Sequence, residues 1–369
     1  MSAAALRSVL LTPNILGADG VSSLSREIVR ALPRPTAVIS LHDPDTFPDG
    51  AADVEMHGAG GGRATFLAAA AAVSLRCSPE TEIVCSHLHL APAAALQAWR
   101  GARVTAVLCG IEAWVPLRKA EAWALERADL VAISQHTVTR FKSANPAFAS
   151  TDVTVCYPGL PDQPGPPDQP GPPAPPGPPD LPALSALIVA RMSADERYKG
   201  HDELLDIWPA LLARKPEAKL VVAGDGTDRR RLESRAASLG LSHAVTFTGR
   251  VGDRELAALY DQCRFLVMPS RDEGFGLVFL EAMRAGKACV GARGAAEEII
   301  RHGVTGLIVE PDKTDDLAAA VFTLFDQPAT SARFGAAGRE RFLSTFTDVC
   351  FQARFARVLD RRLPRANAS

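Results

Sequence analysis

The 369-residue sequence carries no excess of charge of either sign, no cysteine spacing suited to a metal, and no apolar run of bilayer length. Forty Lys and Arg stand against 42 Asp and Glu, a formal net of -2. A nucleic-acid binder would be more basic, so no nucleic-acid partner is expected. The seven cysteines (Cys77, Cys85, Cys109, Cys156, Cys263, Cys289, Cys350) are scattered and contain no CxxC pair. They read as reduced, mostly buried thiols rather than a zinc site or a disulfide framework. The longest apolar stretch, residues 63–76, is alanine-dominated and falls short of the roughly 20 residues a spanning helix needs. Lys and Arg are not concentrated in the N-terminal half, so composition shows no basic membrane-docking face, although peripheral membrane contact stays open. The opening MSAAALRSVLLTP has too short an apolar core for a secretory signal, and a cytoplasmic location is expected.

What is present points to two domains, because the chain exceeds the size at which one core stops growing. Residues 161–182, PDQPGPPDQPGPPAPPGPPDLP, cannot pack and read as an extended linker. Before it, SVLLT (8–12), TAVIS (36–40), TEIVCS (81–86), RVTAVLC (103–109), LVAIS (130–134) and VTVCY (153–157) alternate with helical stretches such as Ser22–Leu32 and Ala91–Arg100. After it come SALIVA (185–190), KLVVAG (219–224), AVTFTG (244–249), FLVMPS (265–270), ACVGA (288–292) and TGLIVEP (305–311). Fully apolar strands alternating with helices imply α/β domains, each a parallel sheet covered on both faces. Ligands of such sheets sit at the carboxyl ends of the strands, so two of them facing across a cleft would line it with strand-end loops. A last helix, about residues 347–361, has an apolar face of Val349, Phe351, Phe355 and Val358 that suits packing back on the first domain.

The segment richest in chemistry is FLVMPSRDEGFGLVFLEAMRAGKACV. It reads as a buried strand, a loop with Glu273, Gly274 and Gly276, and a helix containing Glu281. Glycines let backbone amides approach a ligand, and the helix offers its positive N-terminus to an anion such as a diphosphate. Glu273 can accept from sugar hydroxyls and Glu281 from ribose. In RMSADERYKG, Arg191 and Lys199 leave a strand end as cations that suit a diphosphate and would neutralise charge on a departing leaving group. The glycines of VVAGDG (Gly224, Asp225, Gly226) suit a tight turn beside a nucleotide, and FTGRV, with Arg250 and Val251, could meet the base through its backbone.

Taken in order, R-M-x(6)-K-G, V-A-G-D-G, F-T-G-R-V, P-S-x(2)-E-G-F-G-L-x(3)-E-A-M and H-G-V-T-G-L-I-V resemble the retaining glycosyltransferases of family four, in the GT-B class. The resemblance covers residues 183–326. It implies two Rossmann-like domains: residues 1–160 on the acceptor side, 161–182 as linker, 183–346 holding the donor, and 347–369 as the returning helix. It also implies a metal-independent hexosyl transfer with retention, with no cofactor and no residue assigned as a covalent nucleophile. Arg191, Lys199 and Glu273 inherit the catalytic positions; Phe275, Gly276 and Leu277 inherit backbone contacts to the donor sugar and Glu281 the ribose contact. PNILGADGVSS (13–23) resembles the family's first glycine loop, placing Gly17 and Gly20 at the cleft. CGIEAW (109–114) resembles a segment that often reads HGIEAW, so Cys109 stands where histidine is common, and either Glu112 and the backbone carry that contact or donor preference differs. Ser134, at the end of a similar strand, is expected to face the cleft. The partners implied are a UDP-, GDP- or ADP-linked sugar and a carbohydrate, lipid-linked or small-molecule acceptor.

Blander readings stand beside these. Glutamates eight residues apart are commonly a solvated face, and turn glycines commonly just turn. His87 and His89 lack a nearby acidic partner in sequence and read as cleft or packing residues rather than metal ligands, while Asp43 and Asp45 read as a solvated loop. Other functions on the same fold are a phosphorylase, for which no pyridoxal-phosphate lysine context is found, an epimerase, or a nucleotide-sugar-binding scaffold without turnover.

Overall fold

A computed structural model describes residues 5–17, 19–45, 53–163, 181–182 and 184–360. Residues 164–180 of the expected linker lie outside the described residues. The chain divides into two compact units, residues 1–159 with 348–369, and residues 160–347.

The first unit contains, in order, β1 (Ser8–Thr12), α1 (Gly20–Ala31), β2 (Thr36–Ser40), β3 (Val54–Gly58), α2 (Arg63–Ser74), β4 (Glu82–Cys85), α3 (Ala91–Gln97), β5 (Arg103–Leu108), α4 (Lys119–Leu125), β6 (Asp129–Ala132), α5 (Gln135–Ala144) and β7 (Val153–Val155). Its strands form a sheet in the order β3-β2-β1-β4-β5-β6-β7, parallel throughout. β1 and β2 are wholly buried runs of apolar and hydroxyl side chains, as strands covered on both faces must be. β3, VEMHG, was not expected as a strand: Glu55 and His57 break its apolar run, and an edge position that is only half-buried tolerates them. From β1 the chain winds one way through β2 to β3, and from β4 the other way to β7. Right-handed crossovers therefore put α1 on one face and α2 to α5 on the other. One buried core joins Phe66 and Val73 of α2, Ala94 of α3, Leu125 of α4 and Phe141 of α5 to the strands beneath them.

The second unit contains β8 (Ser185–Val189), α6 (His201–Arg214), β9 (Lys219–Ala223), α7 (Arg229–Ser238), β10 (Val245–Gly249), α8 (Asp253–Gln262), β11 (Phe265–Met268), α9 (Leu277–Arg284), β12 (Ala288–Ala292), α10 (Ala296–Ile299), β13 (Gly306–Val309), α11 (Thr314–Asp326) and α12 (Pro328–Thr345). Its strand order is β10-β9-β8-β11-β12-β13, again parallel. The winding reverses between β8 and β11, as it does between β1 and β4 in the first unit. The last helix, α13 (Asp348–Asp360), belongs to the first unit and packs on α1. Phe351, Phe355 and Leu359 are its buried face. Val349, expected on that face, is 68% exposed, and Val358 is half-buried.

Candidate active site

In an open α/β sheet the crevice that takes a ligand lies where the winding reverses, beyond the carboxyl ends of the two strands concerned. In the second unit these are β8 and β11, and the loops that follow them carry the residues singled out from sequence. A short turn of 3₁₀ helix (Ala194–Lys199) and Gly200 follow β8, and residues 269–276 follow β11. The two loops are stitched together. The Arg271 amide donates to the Tyr198 carbonyl at 3.0 Å, and Lys199 Nζ donates to Glu273 Oε2 at 2.8 Å. Gly200 has φ +91°, and a Cβ there would lie 2.5 Å from Pro269 Cγ, so only glycine brings the loops this close. Lys199 and Glu273 are 14% and 20% exposed, enough shelter for their attraction to exceed that of a surface pair.

α9 begins immediately beyond. Gly276, its N-cap, has φ +99°, and a Cβ there would meet the Phe279 ring at 2.7 Å. Gly274, Phe275 and Gly276 are buried, and Phe275 seats the loop by an edge-on contact with Phe346. Leu277 opens the helix, whose first-turn amides and dipole favour an anion. One turn further, Glu281 accepts from the Tyr260 hydroxyl of α8 at 2.7 Å. Burial pushes the Glu281 carboxyl above the usual range, and the Tyr260 hydrogen bond opposes that. Sequence reasoning missed Tyr260, which stands 21 residues away on another helix, with no local pattern to mark it.

Arg191 is 73% exposed and pairs with Glu196 at 2.5 Å, so it and Lys199 have different partners in this structure. Gly224 and Gly226 have φ +136° and +157°, and Cβ atoms there would lie 2.0 Å from the Ala190 carbonyl oxygen and 2.2 Å from that of Met192. Between them, Met192 N donates to Asp225 O at 3.0 Å, and Gly224 N donates to Gly249 O at 2.9 Å. These glycines hold the loop that carries Arg191. Asp225 bonds the amide of Gly226 and faces Arg229, while Arg250 is exposed and Val251 half-buried. Beneath the β8 loop, Arg231 bridges Asp202 and Asp228 at 2.7 and 2.6 Å, and burial pushes His201 down to about 4.

In the first unit the corresponding reversal lies between β1 and β4. Asp43, expected in a solvated loop, is instead buried, accepting from the Ile15 amide and the Ser40 hydroxyl, both at 2.6 Å. It ties down the glycine loop after β1; Asp45 is exposed. Gly17 lies in that loop and its carbonyl accepts from Arg26, and Gly20 opens α1 behind the cap Asp19. The Cys109 thiol donates to the Ser86 carbonyl at 3.1 Å, and the Cys109 amide donates to Glu112 Oε1 at 2.6 Å. Burial pushes both the thiol and the Glu112 carboxyl upward. Both groups thus serve the loop itself. Ser134, expected to face a cleft, is fully buried and caps α5 by accepting from the Thr137 amide at 3.0 Å. His89 does have an acidic partner: its Nδ1 lies 2.8 Å from Glu121 Oε1 of α4. Its neighbour His87 is pushed down to about 4, chiefly by burial. Among the described residues no group of three or more His, Cys, Asp or Glu could hold a metal ion, and no helix is long and apolar enough to cross a membrane.

The fold these units share with solved structures is of the GT-B type. A crystal structure of Anabaena HepE in complex with UDP superposes with a TM-score of 0.73 at 20% identity, covering 96% of this chain and 100% of that one. Residues 183–341, most of the second unit, match the family described as glycosyl transferases group 1. Similar proteins include the GDP-mannose-dependent alpha-(1-6)-phosphatidylinositol monomannoside mannosyltransferase of Mycobacterium tuberculosis, 37% identical over 150 residues, 38% of this chain and 39% of that protein. The GDP-mannose-dependent monoacylated alpha-(1-6)-phosphatidylinositol monomannoside mannosyltransferase of Corynebacterium glutamicum is 31% identical over 227 residues, 57% of this chain and 56% of that protein. The chain thus matches these relatives over 39% and 56% of their length.

Proposed function

We propose that the protein is a glycosyltransferase that moves a hexose from a nucleotide-diphosphate sugar to a carbohydrate, lipid-linked or small-molecule acceptor, with retention of configuration and without a metal. The observation that carries this reading is the Lys199–Glu273 pair, 2.8 Å apart at the winding reversal of a group 1 domain and beside the N-terminus of α9. The ammonium and the helix amides would take the donor's diphosphate and hold the negative charge that grows on it as the glycosidic bond breaks. Arg191, on the neighbouring exposed loop, would swing from Glu196 to add its charge. Glu273 would accept from sugar hydroxyls, and the Glu281 oxygen not taken by Tyr260 would accept from ribose. With the cations supplying the countercharge, the reaction as proposed needs no divalent ion. The relatives named for GDP-mannose and the fold neighbour bound to UDP make both nucleotides donor candidates. A cytoplasmic setting suits the seven free cysteines.

The test is calorimetry and thermal shift with GDP-mannose, UDP-glucose and ADP-glucose in the presence of a chelator, since a ligand bound only by the folded state raises its stability. One donor should bind and shift the melting temperature in the wild type and fail to do so in Lys199→Ala. The anomeric configuration of the product, read by NMR, then decides between retention and inversion. No response to any donor would overturn the assignment of the site.

A further inference from the structure

We propose that the outer face of the helix layer α2–α3–α4 is a docking surface for an anionic lipid membrane. Composition showed no such surface; the fold assembles it. α2 has no acidic residue, buries Phe66, Ala70 and Val73, and turns its other side, alanines with Leu67, to solvent. Leu67 is 52% exposed, and Leu75, just past the helix end, 66%. A helix apolar all round is ordinarily buried all round, so this one has an uncovered half.

The two helices beside it continue the pattern. Successive right-handed crossovers from β3 to β6 place α2, α3 and α4 side by side on one face of the sheet, and α3 packs on both of the others. With their inner sides in one core, their outer sides face the same way. Trp99, just beyond α3, is 65% exposed, and Trp123 of α4 is 39% exposed. Each has a guanidinium over its ring, Arg100 at 5.4 Å and Arg127 at 4.9 Å. Indole with a neighbouring cation is the chemistry of the headgroup layer, where the ring lies among acyl carbons and the charge meets phosphate.

Charge selects the occupant. Arg63, Arg118 and Lys119 join Arg100 and Arg127 as exposed cations on these helices and their flanking turns, against the exposed carboxylates Glu80 and Glu126. The carboxylate within α4, Glu121, is buried against His89. A second copy of the chain, related by a two-fold axis, would set one net-positive face against another. An anionic bilayer meets both the apolar stripe and its basic surround.

The full-length protein is sedimented with phosphatidylcholine vesicles lacking or containing phosphatidylglycerol, and tryptophan emission is recorded. Binding to the phosphatidylglycerol vesicles, release by high salt and a blue shift reduced in Trp99→Phe and lost in Trp99→Phe/Trp123→Phe are expected. Replacing two cations in Arg118→Glu/Lys119→Glu should weaken partitioning at least roughly thirty-fold, at about fivefold per cation lost and more for reversal. Leu67→Glu/Leu75→Glu should abolish it, with an unchanged melting temperature showing that the fold survives. Lys199→Ala should bind vesicles like the wild type, which keeps this face distinct from the donor site. Absence of binding, equal binding to both vesicle types, or wild-type binding by Arg118→Glu/Lys119→Glu would overturn the proposal. So would concentration-dependent dimerisation lost in Leu67→Glu/Leu75→Glu without vesicle binding, which would make the face an interface between copies.

Discussion

Lys199 and Glu273 are expected to be partners in stability and in donor binding at once, and a double-mutant cycle separates the two roles. At 2.8 Å the Coulomb attraction of unit charges is about 6 kcal/mol at an effective dielectric of 20 and about 1.5 kcal/mol in bulk water. Both side chains retain some contact with solvent, and removing both charges from water offsets part of the attraction. A net coupling of about 1–3 kcal/mol follows. Lys199→Met leaves a sheltered carboxylate without its countercharge, and Glu273→Gln does the converse, so each should lower stability by about that amount. The double variant should recover most of the loss. Donor binding should behave differently: as proposed, the ammonium meets the diphosphate and the carboxylate the sugar, so it should be lost in Lys199→Met and absent in the double variant. Urea titration measures the first quantity and calorimetry the second. Additive stability effects would show that the pair is not coupled. Wild-type donor affinity in the double variant would remove both residues from the site.

Two further predictions probe the scaffold of that site. Gly224→Ala places a Cβ 2.0 Å from a backbone carbonyl oxygen at φ +136°; the strain alone costs about 1–3 kcal/mol and the clash adds to it, so denaturant titration should show a loss of roughly 3 kcal/mol or more, and a loss under roughly 1 kcal/mol would contradict the packing described. His201 carries a depressed pKa of about 4 against an ordinary 6.5. The unfolded chain therefore binds its proton first as pH falls, so its contribution is complete above pH 6.5 and is lost progressively toward pH 4, amounting to about 3 kcal/mol. The stability difference between wild type and His201→Leu, followed from pH 7 to pH 4, should shift against the wild type by that order; a constant difference would mean the imidazole is not buried in its neutral form.

Much of the fold was legible because its strands are short uninterrupted apolar runs, and a strand buried on both faces has no other composition available. β1, β2 and β12 coincide with the runs read from sequence. β3 escaped because it is a half-buried edge strand with Glu55 and His57 in it. At the candidate site, the order of motifs announced Lys199 and Glu273, but nothing local said that residues 74 apart in sequence would pair. The same limit hid Glu121 behind His89, Tyr260 behind Glu281, and the amides that draw Asp43 inward. Burial of a polar side chain is decided by its partner, and the partner is chosen by topology. Ser134 shows the converse: its place at a strand end suggested that it faces a cleft, yet it is buried and its hydroxyl caps the next helix.

The glycines of VAGDG are required by a neighbouring segment of chain rather than by their own turn alone. Their positive φ values and missing Cβ atoms are demanded by the carbonyl oxygens of Ala190 and Met192, the residues on either side of Arg191. Gly224 and Gly226 lie at the end of β9, and Arg191 at the end of the adjacent β8. The R-M and V-A-G-D-G segments are therefore two halves of one closely packed turn, and each is intelligible only beside the other. A side chain at either glycine would push away the backbone from which Arg191 projects. In the proposed function these glycines would act as positioning residues, and their part in binding a donor would run through the arginine they hold in place.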